Sequence, residues 1–125
     1  GIKIDIKKYI PVAAGMAGGS TDAAAVLVGM NKLCKLNLTK KRLMELGVRL
    51  GADVPYCIMR GTALAEGIGE KLTRLPAMPN CNILIAKPPI SVSTKNVYDD
   101  LVLDGETKHP DIDVLMEDLK QKDLA

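Results

Sequence analysis

The stretch PVAAGMAGGSTDAAAV, residues 11–26, decides how the rest of the chain is read. Three glycines, Gly15, Gly18 and Gly19, stand directly before Ser20, Thr21 and Asp22, and a run of alanines follows. Glycine opens positive φ to the backbone and lets it approach a neighbour closely, whereas alanine is the strongest helix former. A flexible loop therefore passes without a gap into a helix. Ser20 offers the hydroxyl of a good N-cap, and Asp22, in the expected first turn, complements the positive end of the helix dipole. The start of a helix also carries N–H groups with no partner inside the helix, which attract anions. Two readings stay open on these residues alone. The loop is either an anion cradle, with the Ser20 and Thr21 hydroxyls suited to phosphate oxygens or a magnesium ion's water shell, or a packing device that lets elements approach. Neither common phosphate motif is present. No Lys follows as Gly-Lys-Ser/Thr, and G-x-x-G-G is not G-x-G-x-x-G.

Upstream, Ile2, Ile4 and Ile6 alternate with Lys3, Asp5 and Lys7, the period of a half-buried strand running to about Ile10. Downstream, Ala23, Val26, Leu27, Met30 and Leu33 recur at helical spacing to about Lys35. A second helix is expected after the cap Thr39, with Leu43, Leu46 and Leu50 as its stripe, Gly47 as a weak point and Gly51 as its stop. Residues 56–59 and 62–66 read as short strands around an Arg60-Gly61 turn, and Gly67 and Gly69 flank a second turn before residues 70–75. The Pro-rich LPAMPN suggests a boundary, giving units 1–76 and 77–125. CNILIAKP then reads as a buried strand, Ser93 or Thr94 as the cap of a short helix, and residues 112–119 as the start of a last one. This mixed order favours α+β over a doubly wound sheet.

Composition excludes several classes. Seventeen Lys and Arg balance fifteen Asp and Glu across 125 residues, so no long-range field favours nucleic acid or membranes. Phe and Trp are absent, which leaves little for base stacking. Cys34, Cys57 and Cys81 are far apart, and His109, in a polar loop, is the single histidine. That inventory fits neither a zinc site nor a disulfide framework; reduced thiols and a cytoplasmic location are expected. The chain begins without Met on a strand-like pattern and closes on MEDLKQKDLA, which suggests a piece of a longer protein.

PVAAGMAGGSTDAAA resembles the second motif, P-x-x-x-G-L-x-G-G-S-S-x-A-A, of the GHMP kinase superfamily, with Met16 in place of Leu. LGADVPYCIMRGTALAEGIGEKL and KPPISVSTKNVYDDL are similar to the next two landmarks of one branch. That branch phosphorylates the 2-hydroxyl of a cytidine-diphosphate-linked methylerythritol in non-mevalonate isoprenoid synthesis. The resemblance implies a two-layer α+β kinase fold: a ribosomal protein S5 domain 2-like N-terminal part and the start of a ferredoxin-like C-terminal domain. It implies ATP as co-substrate with Mg2+, and a loop of Pro11, Val12, Ala13, Ala14, Gly15, Met16, Ala17, Gly18, Gly19, Ser20 and Thr21 around the triphosphate. Ser20 would lie nearest the magnesium. Asp53, which on its own chemistry reads first as a turn residue between Gly51 and Pro55, would by the resemblance be the catalytic carboxylate. Thr94 and Tyr98 would meet the cytidine end, although a helix cap and a packing residue explain them as well. The turn at Glu66-Gly67-Ile68-Gly69 belongs to the resemblance with no role beyond hairpin geometry. The family's N-terminal lysine and C-terminal Gly-rich motif have no counterpart in these residues, so the 125 residues alone are expected to lack kinase activity. Lys3, Lys7 and Lys8 do not match that lysine. A mevalonate- or homoserine-type kinase, a non-catalytic anion-binding or packing module, and a homodimer remain alternatives.

Overall fold

The computed structural model describes all residues except 91–92, 103, 105–106 and 123–125; of the helical residues 94 and 95 it describes the backbone. In chain order it contains α1 (Gly18–Leu33), α2 (Lys40–Val48), α3 (Val54–Met59), β1 (Ala63–Glu66), β2 (Lys71–Arg74), α4 (Thr94–Asp99) and α5 (Ile112–Gln121). The core lies where α1, α2 and α3 meet. Ala24, Leu43, Val54 and Ile58 are buried there, with Ala23, Leu27, Leu38, Met44 and Cys57 packed around them.

Small residues allow this close approach. A methyl group on Gly47 would stand 2.9 Å from Val54 Cγ1 and 3.2 Å from Ile58 Cδ1. Gly47 is thus the point where α3 rests on α2, and the helix runs through it. Thr39 caps α2 as expected, its Oγ1 accepting from the Arg42 amide. Asn31 ties α1 to the next connection by bonding both the N–H and the C=O of Leu38. Lys40 and Arg74 both donate to the Met59 carbonyl at the C-terminal end of α3, where cations are favoured. Beyond it, β1 and β2 form an antiparallel hairpin in which Ala63 faces Arg74 and Glu66 faces Lys71.

Several sequence expectations are corrected. Residues 2–10 form no strand; Ile2, Ile4 and Ile6 are about half exposed, and the segment runs beside Ala25, Val26, Gly29, Met30 and Leu33 of α1. Residues 81–88 form none either, and Leu84 is 96% exposed. A period-2 pattern specifies which face is apolar, but a strand also needs a neighbour to take up its backbone hydrogen bonds. Among the described residues these two segments have none. Tyr56 and its neighbours to Met59 are helical, because Pro55 sits comfortably in a first helical turn and Val54, Ile58 and Met59 share one buried face. Leu50 lies past the end of α2 and is exposed. Ser93, not Thr94, caps α4. Asp111 caps α5 through the amides of Asp113 and Val114. No helix among the described residues is long and apolar enough to cross a membrane.

Candidate phosphate cradle and carboxylate

The loop before α1 is set by alternating backbone handedness. Ala13, Gly15 and Ala17 all have positive φ, at 53°, 67° and 49°. Such alternation curls successive amides towards one side and makes a concavity suited to anions. Two of the three are alanines, which adopt this region only at a cost of about 1–2 kcal/mol each. Ala17 is the N-cap, so α1 begins three residues earlier than a Ser20 cap would start it. Asp22 consequently falls outside the first turn. The first helical bond runs from the Thr21 amide to the Ala17 carbonyl. By position, the amides of Ala17, Gly18, Gly19 and Ser20 have no partner within the helix.

The glycines divide into two kinds. A methyl group on Gly18 would stand 3.0 Å from Ile10 Cγ2 and 3.3 Å from Lys8 Nζ. Gly15 and Gly19, by contrast, would carry a methyl group into open space. The two hydroxyls also differ. Thr21 Oγ1 donates back to the Ala17 carbonyl at 3.0 Å and lies 3.6 Å from Cys57 Sγ, so it faces α3. Ser20 Oγ reaches within 3.8 Å of the place a methyl group on Gly51 would take. Ser20, in the first turn of α1, is thereby set beside Gly51, two residues before Asp53.

Asp53 is the residue before α3, with φ −84° and ψ −12°, and its side chain makes no capping hydrogen bond. It is exposed. An Asp kept only for its turn or capping chemistry accepts a local backbone amide; this carboxylate is left available. Lys8, which does not match the family's lysine by motif, reaches this loop from the preceding segment. Its ammonium group pairs with Asp22 and stands beside Gly18 at the start of α1.

An opening of about 620 Å³ separates Ala13, Ala14 and Gly15 from Ile85–Pro88, Ile90, Ser93 and Val97. The loop and the start of α4 thus face one space. Tyr98 follows Val97 on α4, is 70% exposed and does not line that opening. Thr94 opens α4, but its side chain lies outside the described residues. Pro11 and Val12 are exposed, and Met16 is half-buried. Among the described residues no group of three His, Cys, Asp or Glu is placed to hold a metal ion. The three cysteines are free thiols.

Comparison with known proteins accounts for this arrangement. Residues 1–61 match the model of the GHMP kinases N terminal domain. The chain is 66% identical over its full length to a 4-diphosphocytidyl-2-C-methyl-D-erythritol kinase of Lachnospira eligens, covering 43% of that protein. It is 62% identical over 99% of its length to the protein of the same name from Lachnoclostridium phytofermentans, again covering 43% of it. A crystal structure of 4-(cytidine 5'-diphospho)-2C-methyl-D-erythritol kinase superposes with a TM-score of 0.67 at 31% identity, over 94% of this chain and 42% of that one. The chain therefore spans less than half the length of the relatives it matches, and its α+β arrangement is that of the corresponding part of their fold. Residues 1–61 thus match the N-terminal domain of the GHMP kinases, and along 94% of its length the chain shares the fold of the kinase crystal structure.

Proposed function

We propose that this chain supplies the phosphate loop and the base of a kinase that transfers the γ-phosphoryl group of ATP to the 2-hydroxyl of 4-diphosphocytidyl-2-C-methyl-D-erythritol. The observation that carries the reading is one proximity: Ser20 Oγ, in the first turn of α1, lies beside Gly51, two residues before Asp53, whose carboxylate makes no capping bond. In this reading residues 11–21 surround the triphosphate, and the Lys8 ammonium, beside Gly18, turns from Asp22 to a phosphate oxygen when the triphosphate binds. The substrate hydroxyl oxygen forms a bond to the γ-phosphorus while the bond to the β–γ bridging oxygen breaks and ADP leaves. The hydroxyl proton passes to Asp53. Little covalent work is asked of the protein, since phosphoryl transfer is governed by positioning and charge neutralisation.

Ser20 and Asp53 offer oxygen donors, the type that magnesium takes, but too few to hold the ion alone. Magnesium keeps several waters and relies on phosphate oxygens, so these residues fit it as a partner of the triphosphate, where it supplies charge neutralisation. Thr94 and Tyr98 take the cytidine end in this reading; the position of α4 beside the loop's opening supports it. The boundary at 76/77 and a cytoplasmic setting belong to the same proposal.

The glycines bear on the packing alternative. A loop built only for close approach puts its glycines at contacts; Gly18 meets that description, but Gly15 and Gly19 do not. Titration with a non-hydrolysable ATP analogue and Mg2+, followed by amide chemical shifts, tests the difference. Shifts concentrated at residues 15–21 are expected, and none there would leave the packing module standing. Substrate choice is tested by placing this chain in the Lachnospira eligens relative in place of its matching residues. Turnover of the cytidine-linked substrate is expected; turnover of mevalonate or homoserine instead would move the assignment elsewhere in the superfamily.

A further inference from the structure

The turn between β1 and β2 carries no role in the reading above, yet it touches the candidate base's own backbone. A methyl group on Gly69 would stand 3.0 Å from the Ala52 carbonyl oxygen and 3.5 Å from the Ala52 carbonyl carbon. Gly69 has φ +116°, a conformation that side-chain-bearing residues rarely adopt. The turn is closed from within by Glu70, whose Oε2 accepts from the Ile68 amide at 2.8 Å, and by the Gly69 amide bonding the Glu66 carbonyl. Gly67 leaves room for that carboxylate, since a methyl group there would lie 2.5 Å from Glu70 Oε1. A four-residue hairpin connection can close without docking on anything. This one is folded around Glu70 so that its second glycine meets the peptide directly before Asp53.

We propose that Gly69 and Glu70 are positioning residues: the folded turn at residues 67–70 buttresses the Ala52–Asp53 peptide and fixes where the Asp53 carboxylate stands relative to the start of α1. The inference rests on the kinase reading. Asp53 receives no capping bond to hold its side chain, so the aim of the carboxylate depends on its backbone. Misplacing a reacting group by about 1 Å costs on the order of a hundredfold in rate. A displacement of a few tenths of an ångström, enough to admit a methyl group at Gly69, is therefore expected to cost about tenfold.

The test uses the chimera in which this chain replaces its counterpart in the Lachnospira eligens relative. Gly69→Ala is expected to lower kcat about tenfold while leaving the KM for ATP within about twofold, because the phosphate loop is untouched. In an Asp53→Asn background the same change is expected to cost nothing further, the signature of two residues acting through one group. Glu70→Ala should reproduce the kcat effect and carries the test if Gly69→Ala does not fold. Glu70→Gln, which keeps an oxygen acceptor for the Ile68 amide, should restore most of the rate. Unchanged kcat in Gly69→Ala or Glu70→Ala, equal losses in both backgrounds, or a parallel rise in the KM for ATP would overturn the inference while the kinase reading stands. An inactive unsubstituted chimera, or full activity in Asp53→Asn, would instead overturn the kinase reading and the inference with it.

Discussion

Asp53 occupies the N-cap position of α3 and makes no capping bond, which leaves its carboxylate to the role of base in the proposed transfer. In the active chimera, Asp53→Asn is expected to reduce kcat by at least a hundredfold, within the range for loss of a positioned base. The shifts that an ATP analogue produces at residues 15–21 should persist, since the amides are untouched; their loss would show that Asp53 serves the loop's structure. Lys8 is expected to act on binding. Lys8→Ala removes one charge-assisted contact and should weaken the analogue about tenfold by calorimetry, and an unchanged Kd would remove Lys8 from the site. Gly47 tests the packing. Alanine there gains about 1 kcal/mol of helix propensity but places a methyl group 2.9 Å from Val54 Cγ1. Overpacking costs about 1–3 kcal/mol, so Gly47→Ala should be net destabilising and lower the urea midpoint. A raised midpoint would mean that α3 yields easily.

Among the elements, α5 depends most on its own ends. None of its residues is buried, so tertiary packing offsets little of the entropy of ordering ten residues. What holds it is Asp111 at the N-cap and Glu117, which accepts from Lys120 and Gln121. Asp111→Ala is expected to cost about 1 kcal/mol of local stability, read as faster amide exchange across residues 113–118; unchanged exchange there would mean that something else orders the helix. Acid acts on the same element. The Lys120 hydrogen bond, then that from Gln121, holds the Glu117 carboxyl below its ordinary value. The turn at residues 67–70 behaves alike, because the Glu70 and Ile68 amides hold the Glu70 carboxyl low. A lowered carboxylate pKa stabilises structure above the unfolded value and loses that contribution as pH falls through the folded one. Amide protection in both places should therefore decline below about pH 4. Protection that persists to lower pH would show that neither carboxylate carries its element.

For the whole molecule, exposed surface is the governing quantity. The chain exposes 10300 Å², against about 6,500 Å² for a compact protein of its mass. The apolar segments at residues 2–6 and 83–85 account for part of the excess. Denaturant sensitivity scales with surface newly exposed on unfolding, so the urea m-value should fall below about 1 kcal/mol/M, under the usual span for small domains. A value typical of a compact domain of this length would mean that these segments pack in solution.

Legibility followed the range of the interactions. The helix after the glycine loop, the Thr39 cap, the hairpin and the final helix were readable because each depends on a few neighbouring residues: alanine propensity, a hydroxyl at the right offset, paired glycines, an apolar stripe. The candidate site residues were readable as three separate motifs. Tertiary structure decided what they do together. It moved the cap of α1 from Ser20 to Ala17, turned Thr21 towards α3, set Lys8 beside Gly18 and rested Gly69 on the peptide before Asp53. It also refused strand structure to the isoleucine-rich segments at 2–10 and 81–88. A strand or a shared site is a relation between distant parts of the chain; a period or a motif states one side of that relation, and only packing supplies the other.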